Sequence, residues 1–268
     1  MLYHAKEQTL QISGGRINYF SFGTGEKPMI LISGLNLRDV RGKSALFGLA
    51  WMYREFCREY TVYCFDRREQ LPGQVTIEEI AEDIASCMEY LQLSHAYVLG
   101  VSQGGMIAQY LAMNHPQLVH RLVLGVTSSR TNDTIRENIE RWCTLVSQGK
   151  MPEVFRDYMT QTYSSGYQKK YGRWIPLLSK VTKMMSPDRF ITLARSCLTM
   201  DAYDKLAHIQ CPVLVLGGMQ DKIVTPEASR EIAEKLQCPV YMYENYGHSV
   251  YEEEADDFNR RVREFFKS

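Results

Sequence analysis

The chain carries no surplus of either charge: 31 Lys and Arg stand against 31 Asp and Glu in 268 residues. Nucleic acid is therefore not the expected partner, because phosphate binding needs a basic excess. Long apolar runs are missing as well. None approaches the roughly 20 residues of a membrane span, so no membrane partner is expected either. Met1 to Gln11 is polar and mixed in charge, unlike a signal peptide. The seven cysteines (57, 64, 87, 143, 197, 211 and 238) are odd in number and scattered, and no C-x-x-C occurs. That excludes the zinc and thioredoxin-like spacings and leaves buried thiols as the reading. The six histidines form no H-E-x-x-H. These absences set the expectation of a cytoplasmic protein with no metal and no cofactor. Internal repeats, low-complexity tracts and an interdomain linker are lacking too; oligomeric state leaves no mark on the sequence.

What is present suits one large globular unit, with 45% apolar residues. Thr9 to Ser13 and Arg16 to Phe22 alternate around Gly14-Gly15, a hairpin signal. Strands and helices then take turns. Apolar runs at 28–32, 61–65, 96–99, 121–126, 213–216 and 240–243 read as strands, those at 96–99, 121–126 and 213–216 as buried ones. Thr76-Ile77-Glu78-Glu79 is a capping box, and Ile77, Ile80, Ala81, Ile84, Met88 and Leu91 share one helical face behind it. Alternation of this kind predicts an α/β fold, with a mostly parallel central sheet and helices on both faces. It breaks from Thr127 to about Lys205, where periodicity is helical and Met and aromatic residues are frequent. The expected organisation is a core of residues 1–126 and 206–268, with a helical cap insertion at 127–205. Most of the cap's aromatic residues should pack the cap itself, and a few should line an apolar pocket. The cap's surplus of basic over acidic residues reads as a solvated face.

Gly100-Val101-Ser102-Gln103-Gly104 is a G-x-S-x-G sequence lying directly behind the strand run and ahead of a helix-like stretch, Met106 to Asn114. A strand feeding a tight turn feeding a helix is where this motif acts as a nucleophile elbow. Serine needs a base to remove its proton. The chain supplies candidates in the order serine, acid, histidine. Asp221 follows the strand run at 213–216, and His248 follows the run at 240–243. Ligands of open α/β sheets bind outside such strand ends.

These stretches, Gly100 to Gln109, the acid loop Gly218 to Pro226 and Gly247-His248, resemble the α/β-hydrolases over nearly the whole length. The resemblance is to the small bacterial esterases, enol-lactonases and cofactor-free haloperoxidases. It implies Ser102 as nucleophile, His248 as general base and then acid, and Asp221 as its orienter. It further implies an oxyanion hole made of the backbone N–H groups of Leu35 and Gln103. Here Ser33 stands where the family usually has histidine, which leaves the support of that loop open. Asp66-Arg67 also fits the family, although the glycines that usually follow are mostly absent; Arg67 and Arg68 read as a solvated or structural pair. The expected activity is hydrolysis of a small or medium carboxylic ester with an apolar acyl portion, a carboxylesterase acting on a small-molecule substrate. A lactonase, thioesterase, amidase or carbon–carbon hydrolase would use the same residues. A slow-turnover ligand receptor on this fold is the alternative outside those classes.

Overall fold

The computed structural model describes residues 2–181 and 184–268. Eight strands form one sheet: β1 (Lys6–Ile12), β2 (Gly15–Gly23), β3 (Lys27–Ile32), β4 (Tyr60–Phe65), β5 (Ala96–Val101), β6 (Val119–Gly125), β7 (Val213–Gly218) and β8 (Val240–Tyr243). Their order is β1-β2-β4-β3-β5-β6-β7-β8. β2 runs antiparallel to β1 and β4, and every other pairing is parallel. This is the predicted fold class. The N-terminal hairpin pairs Ile12 with Gly15, so its turn sits on Ser13-Gly14, one residue earlier than the glycine pair suggested. Gly15 takes the positive φ of +131° at the turn exit, a conformation that glycine adopts without a Cβ clash.

The helices are α1 (Lys43–Met52), α2 (Ile77–Tyr90), α3 (Gln103–Asn114), α4 (Asp133–Ser147), α5 (Met151–Thr162), α6 (Ser165–Tyr171), α7 (Ile175–Val181), α8 (Pro187–Ser196), α9 (Pro226–Leu236), α10 (Val250–Glu253) and α11 (Ala255–Lys267). α2, α3 and α9 cover one face of the sheet. α1 and α11 cover the other. A strand buried on both faces reads as an unbroken apolar run. β5 and β7 are of this type, and every residue in each is buried. Thr76 accepts from the Glu79 N–H at 3.1 Å while the Glu79 carboxylate accepts from the Thr76 N–H at 2.7 Å, the predicted capping box. Pro226 opens α9 at a position where its missing N–H leaves no bond unmade.

The five helices α4–α8 all lie between β6 and β7. They are joined to the rest through polar seams. The Met185 N–H donates to the Leu37 carbonyl at 2.9 Å, and Asn138 donates to the Lys222 carbonyl at 2.9 Å. The loops after β3, β5, β7 and β8 emerge at one edge of the sheet, which gathers residues 33–35, 102, 221 and 248 there.

Candidate active site

Ser102 sits between β5 and α3 with φ +54° and ψ −125°. A non-glycine residue held there stores roughly 1–3 kcal/mol of strain, and the surroundings must over-determine it. They do so from both sides. The Ser102 N–H donates to the Gly125 carbonyl at 2.9 Å, and the Thr127 hydroxyl donates to the Ser102 carbonyl at 2.7 Å. Gly104 allows the sharp turn because any Cβ there would run into the Ile32 carbonyl oxygen of β3. That contact is backbone against backbone and cannot be relieved by a rotamer change.

His248 Nε2 lies 2.8 Å from Ser102 Oγ, and His248 Nδ1 lies 2.9 Å from Asp221 Oδ2. The other carboxylate oxygen of Asp221 accepts from the N–H groups of Ile223 and Val224 at 2.8 and 3.1 Å. With both oxygens engaged, the carboxylate cannot rotate. An acceptor at Nδ1 selects the imidazole tautomer that carries its proton there, leaving Nε2 free to accept from the serine hydroxyl. Asp221 and His248 are both buried. Their loops pack backbone on backbone: a Cβ on Gly218 would strike the Gly247 carbonyl, and the Gln220 N–H donates to the Tyr246 carbonyl at 3.0 Å. The three predicted side chains are thus brought together, although 146 residues separate the serine from the histidine.

The loop after β3 lies against the same serine, since a Cβ on Gly34 would stand 3.0 Å from Ser102 Cβ. Gln103 is the first residue of α3, so its N–H has no partner within the helix. Among the described residues neither it nor the Leu35 N–H donates to a protein acceptor. Two such donors beside a serine hydroxyl suit a developing negative charge.

What supports the β3 loop is Arg67, which is buried rather than solvated. One terminal nitrogen donates to the Ser33 carbonyl at 2.7 Å and to Gln103 Oε1 at 2.9 Å. The Gln103 amide in turn donates to the Leu193 carbonyl of α8 at 2.7 Å. The guanidinium therefore links the loop carrying Leu35, the turn carrying Gln103 and, through Gln103, one of the inserted helices. Burial lowers the Arg67 pKa, and neighbouring Asp66 raises it. Arg68 stands apart from this and pairs with Asp83 at 2.6 Å.

Above the serine is a narrow cavity of about 20 Å³, lined by Leu35, Met106, Ile139, Trp142, Tyr158 and Ile223 among others. That is room for little more than a water molecule. The roof is held in place by polar contacts: Tyr158 donates to the Leu35 carbonyl at 3.2 Å, and Trp142 Nε1 donates to Asp157 at 2.6 Å. In the sequence Trp142 and Tyr158 are two among the many aromatic residues of the insertion. Nothing in its helical period marks which rings face the serine.

Residues 27–255 match the family model described as the alpha/beta hydrolase fold, and the chain belongs to that family. It is 22% identical to 3-oxoadipate enol-lactonase 2 of Acinetobacter baylyi, over 99% of this chain and 98% of that one. Among solved structures it is similar to the enol-lactonase of Burkholderia xenovorans LB400, with a TM-score of 0.84 and 18% identity over 97% of this chain and 100% of the other. A thermophilic esterase from Thermogutta terrifontis gives a TM-score of 0.80 and 22% identity over 98% of each chain. At these identities the structural likeness speaks to the fold.

Proposed function

We propose that this hydrolase cleaves carboxylic esters through an acyl-enzyme on Ser102. His248 takes the serine proton as Oγ attacks the carbonyl, while Asp221 holds the tautomer and stabilises the imidazolium. The N–H groups of Leu35 and Gln103 receive the oxyanion. Removing one such donor costs about 10²–10³-fold in rate in a well-studied protease. His248 then gives its proton to the departing alcohol, and water repeats the sequence with His248 as base. Residues 127–205 act as a cap whose apolar roof receives the acyl portion. A cavity of about 20 Å³ holds no ester, so the roof side chains must part for substrate. Seven free thiols support a reducing compartment such as the cytoplasm.

The observation that carries this reading is the unbroken hydrogen-bond chain of 2.8 and 2.9 Å from Ser102 Oγ through His248 to Asp221, at a strained strand-to-helix turn. A short-chain nitrophenyl ester should give a burst of nitrophenol close to one equivalent per chain. Ser102→Ala should lose about 10⁶-fold in kcat, and Asp221→Asn about 10⁴-fold by presenting the wrong tautomer. Undiminished turnover in Ser102→Ala would refute the assignment. A lactone is a cyclic ester open to the same attack. The enol-lactonase relatives make lactones the second substrate class to try in the same assay.

A further inference from the structure

We propose that an exposed stretch of the helices inserted between β6 and β7 is a docking surface for an anionic lipid membrane. Trp174, Leu177 and Leu178 enter the headgroup layer, and Lys169, Lys170 and Arg173 meet lipid phosphates. This surface shares no residue with the site around Ser102.

Residues 165–181 are helical throughout: α6, a 3₁₀ turn at Gly172–Trp174, then α7. Burial divides the run. Ile175 and Ser179 are buried and fix it to the body of the protein. Tyr171, Trp174, Leu177 and Leu178 are 39, 49, 54 and 43% exposed. Among the described residues nine large apolar side chains are this open, and four of them fall within residues 171–178. Exposed apolar residues scattered singly need no explanation, whereas a cluster marks a contact. The steps of three and four residues from Tyr171 to Trp174 to Leu178 put these side chains on one side of a helical run, and Leu177 adjoins Trp174 by the same rule. Tyr171 also packs on Tyr167, with ring centroids 4.6 Å apart. It is the margin of the cluster, and Trp174 and the two leucines are its centre.

Charge of one sign surrounds the cluster. From Tyr158 to Pro187 the sequence holds no Asp or Glu, against Lys or Arg at 169, 170, 173, 180 and 183. Lys169, Lys170 and Arg173 are exposed, and none of the three forms an ion pair among the described residues, whereas Arg141 and Arg189 of the same insertion pair with Asp157 and Asp39. Lys170 shares a cleft with Glu252 and Glu253, but Tyr163 and Ser164 engage those carboxylates. Two of the cations lie over rings instead. The Lys170 nitrogen is 5.0 Å from the Tyr171 centroid, and the Arg173 guanidinium is 5.1 Å from that of Trp174. Trp and Leu set among unpaired Lys and Arg are the composition of a membrane–water boundary, with apolar groups below the headgroups and cations on long stems reaching the phosphates. A second copy of the chain suits this patch badly, because a two-fold contact would set it against itself and oppose like charges. Nucleic acid offers phosphates but no apolar layer for the leucines. The missing membrane span excludes crossing, and a surface contact needs none.

The test is cosedimentation of the full chain with vesicles of phosphatidylcholine alone and of an equal mixture of phosphatidylcholine and phosphatidylglycerol. The mixed vesicles should bind the wild type, the neutral ones should not, and added salt should release it. Each cation at an anionic surface is worth about fivefold in affinity, so the double variant Lys169→Gln, Arg173→Gln should weaken binding about 20-fold. Trp174→Ser should weaken it about tenfold and remove the blue shift of tryptophan emission that mixed vesicles induce in the wild type. Both variants alter exposed side chains and should keep the unfolding temperature and the nitrophenyl ester turnover of the wild type. No binding to the mixed vesicles, equal binding to the neutral ones, or binding that either variant leaves intact would overturn the docking surface. So would a wild-type dimer in sedimentation velocity that Trp174→Ser converts to monomer, which would give the patch to a second copy. None of the binding measurements needs turnover, so they decide the surface even if the esterase reading fails.

Discussion

Arg67 is the residue on which the geometry around Ser102 depends most without touching the reacting atoms. It holds the carbonyl preceding Gly34 and the side chain of Gln103 at once, so the two proposed oxyanion donors are fixed relative to each other through one planar group. Lysine offers a point charge on a flexible stem and cannot reproduce that fork. Arg67→Lys should therefore lower kcat about 10–100-fold with KM little altered, since a misplaced donor weakens the transition state more than the ground state. Steady-state kinetics on a neutral nitrophenyl ester read the split, and a loss confined to KM would show that Arg67 serves binding instead. The positions of Ser102, Asp221 and His248 were legible in the sequence because each follows an apolar strand run and their order is fixed by topology. Arg67 was not. Its partners are a backbone carbonyl and an amide 34 and 36 residues away, and such bonds leave no periodic trace. The same contact resolves the question raised by Ser33: the loop is held from below by a guanidinium that donates to its carbonyl.

At the scale of elements, the sequence spoke clearly wherever a helix packs on the sheet. α2 announced itself by its capping box and one apolar face, because the sheet demands that periodicity of anything lying on it. The inserted helices obey a different constraint. They bury side chains against one another and against the rim of the core, so an apolar period reports helicity but not which ring overlies Ser102. Trp142 of α4 is buried, anchored through Asp157 of α5, and lies 5.4 Å between ring centroids from Tyr158. It fills the space over Ser102 that an acyl chain would need. Trp142→Ala should cost about 3–5 kcal/mol in stability. The same change should raise the octanoate-to-acetate ratio of kcat/KM for nitrophenyl esters by about tenfold, as added methylenes find apolar room. Thermal unfolding and the two-ester ratio check both halves. An unchanged ratio in a folded variant would show that acyl chains take another route.

For the molecule as a whole, the question is what locks the helices inserted between β6 and β7 to the sheet and its loops, and a dense polar seam centres on Arg189. From α8 it donates to Asp39 at 2.7 Å, to the Arg68 carbonyl at 2.5 Å, to the Arg67 carbonyl at 3.2 Å and to Asp66 at 3.4 Å. The basic surplus of residues 127–205 is thus partly spent inside the structure rather than on a solvated face. Burial raises the Asp66 pKa, and Arg189 is the largest influence lowering it again. Arg189→Met would leave a buried carboxylate without that compensation, at a cost of about 3–5 kcal/mol near neutral pH. The pH dependence has a definite sign. A carboxylate whose folded pKa is raised takes up protons more readily in the folded chain than in the unfolded one. Its relative contribution to stability is therefore greatest below the unfolded value near 3.8 and is lost as pH rises through the raised folded value. In Arg189→Met that folded value climbs further, so the stability gap to the wild type should narrow on acidification and widen toward neutrality. Urea unfolding of both proteins across that range measures the gap directly. A gap that stays constant, or grows in acid, would mean that Asp66 is not the group Arg189 compensates, and that the seam holds through its carbonyl bonds alone.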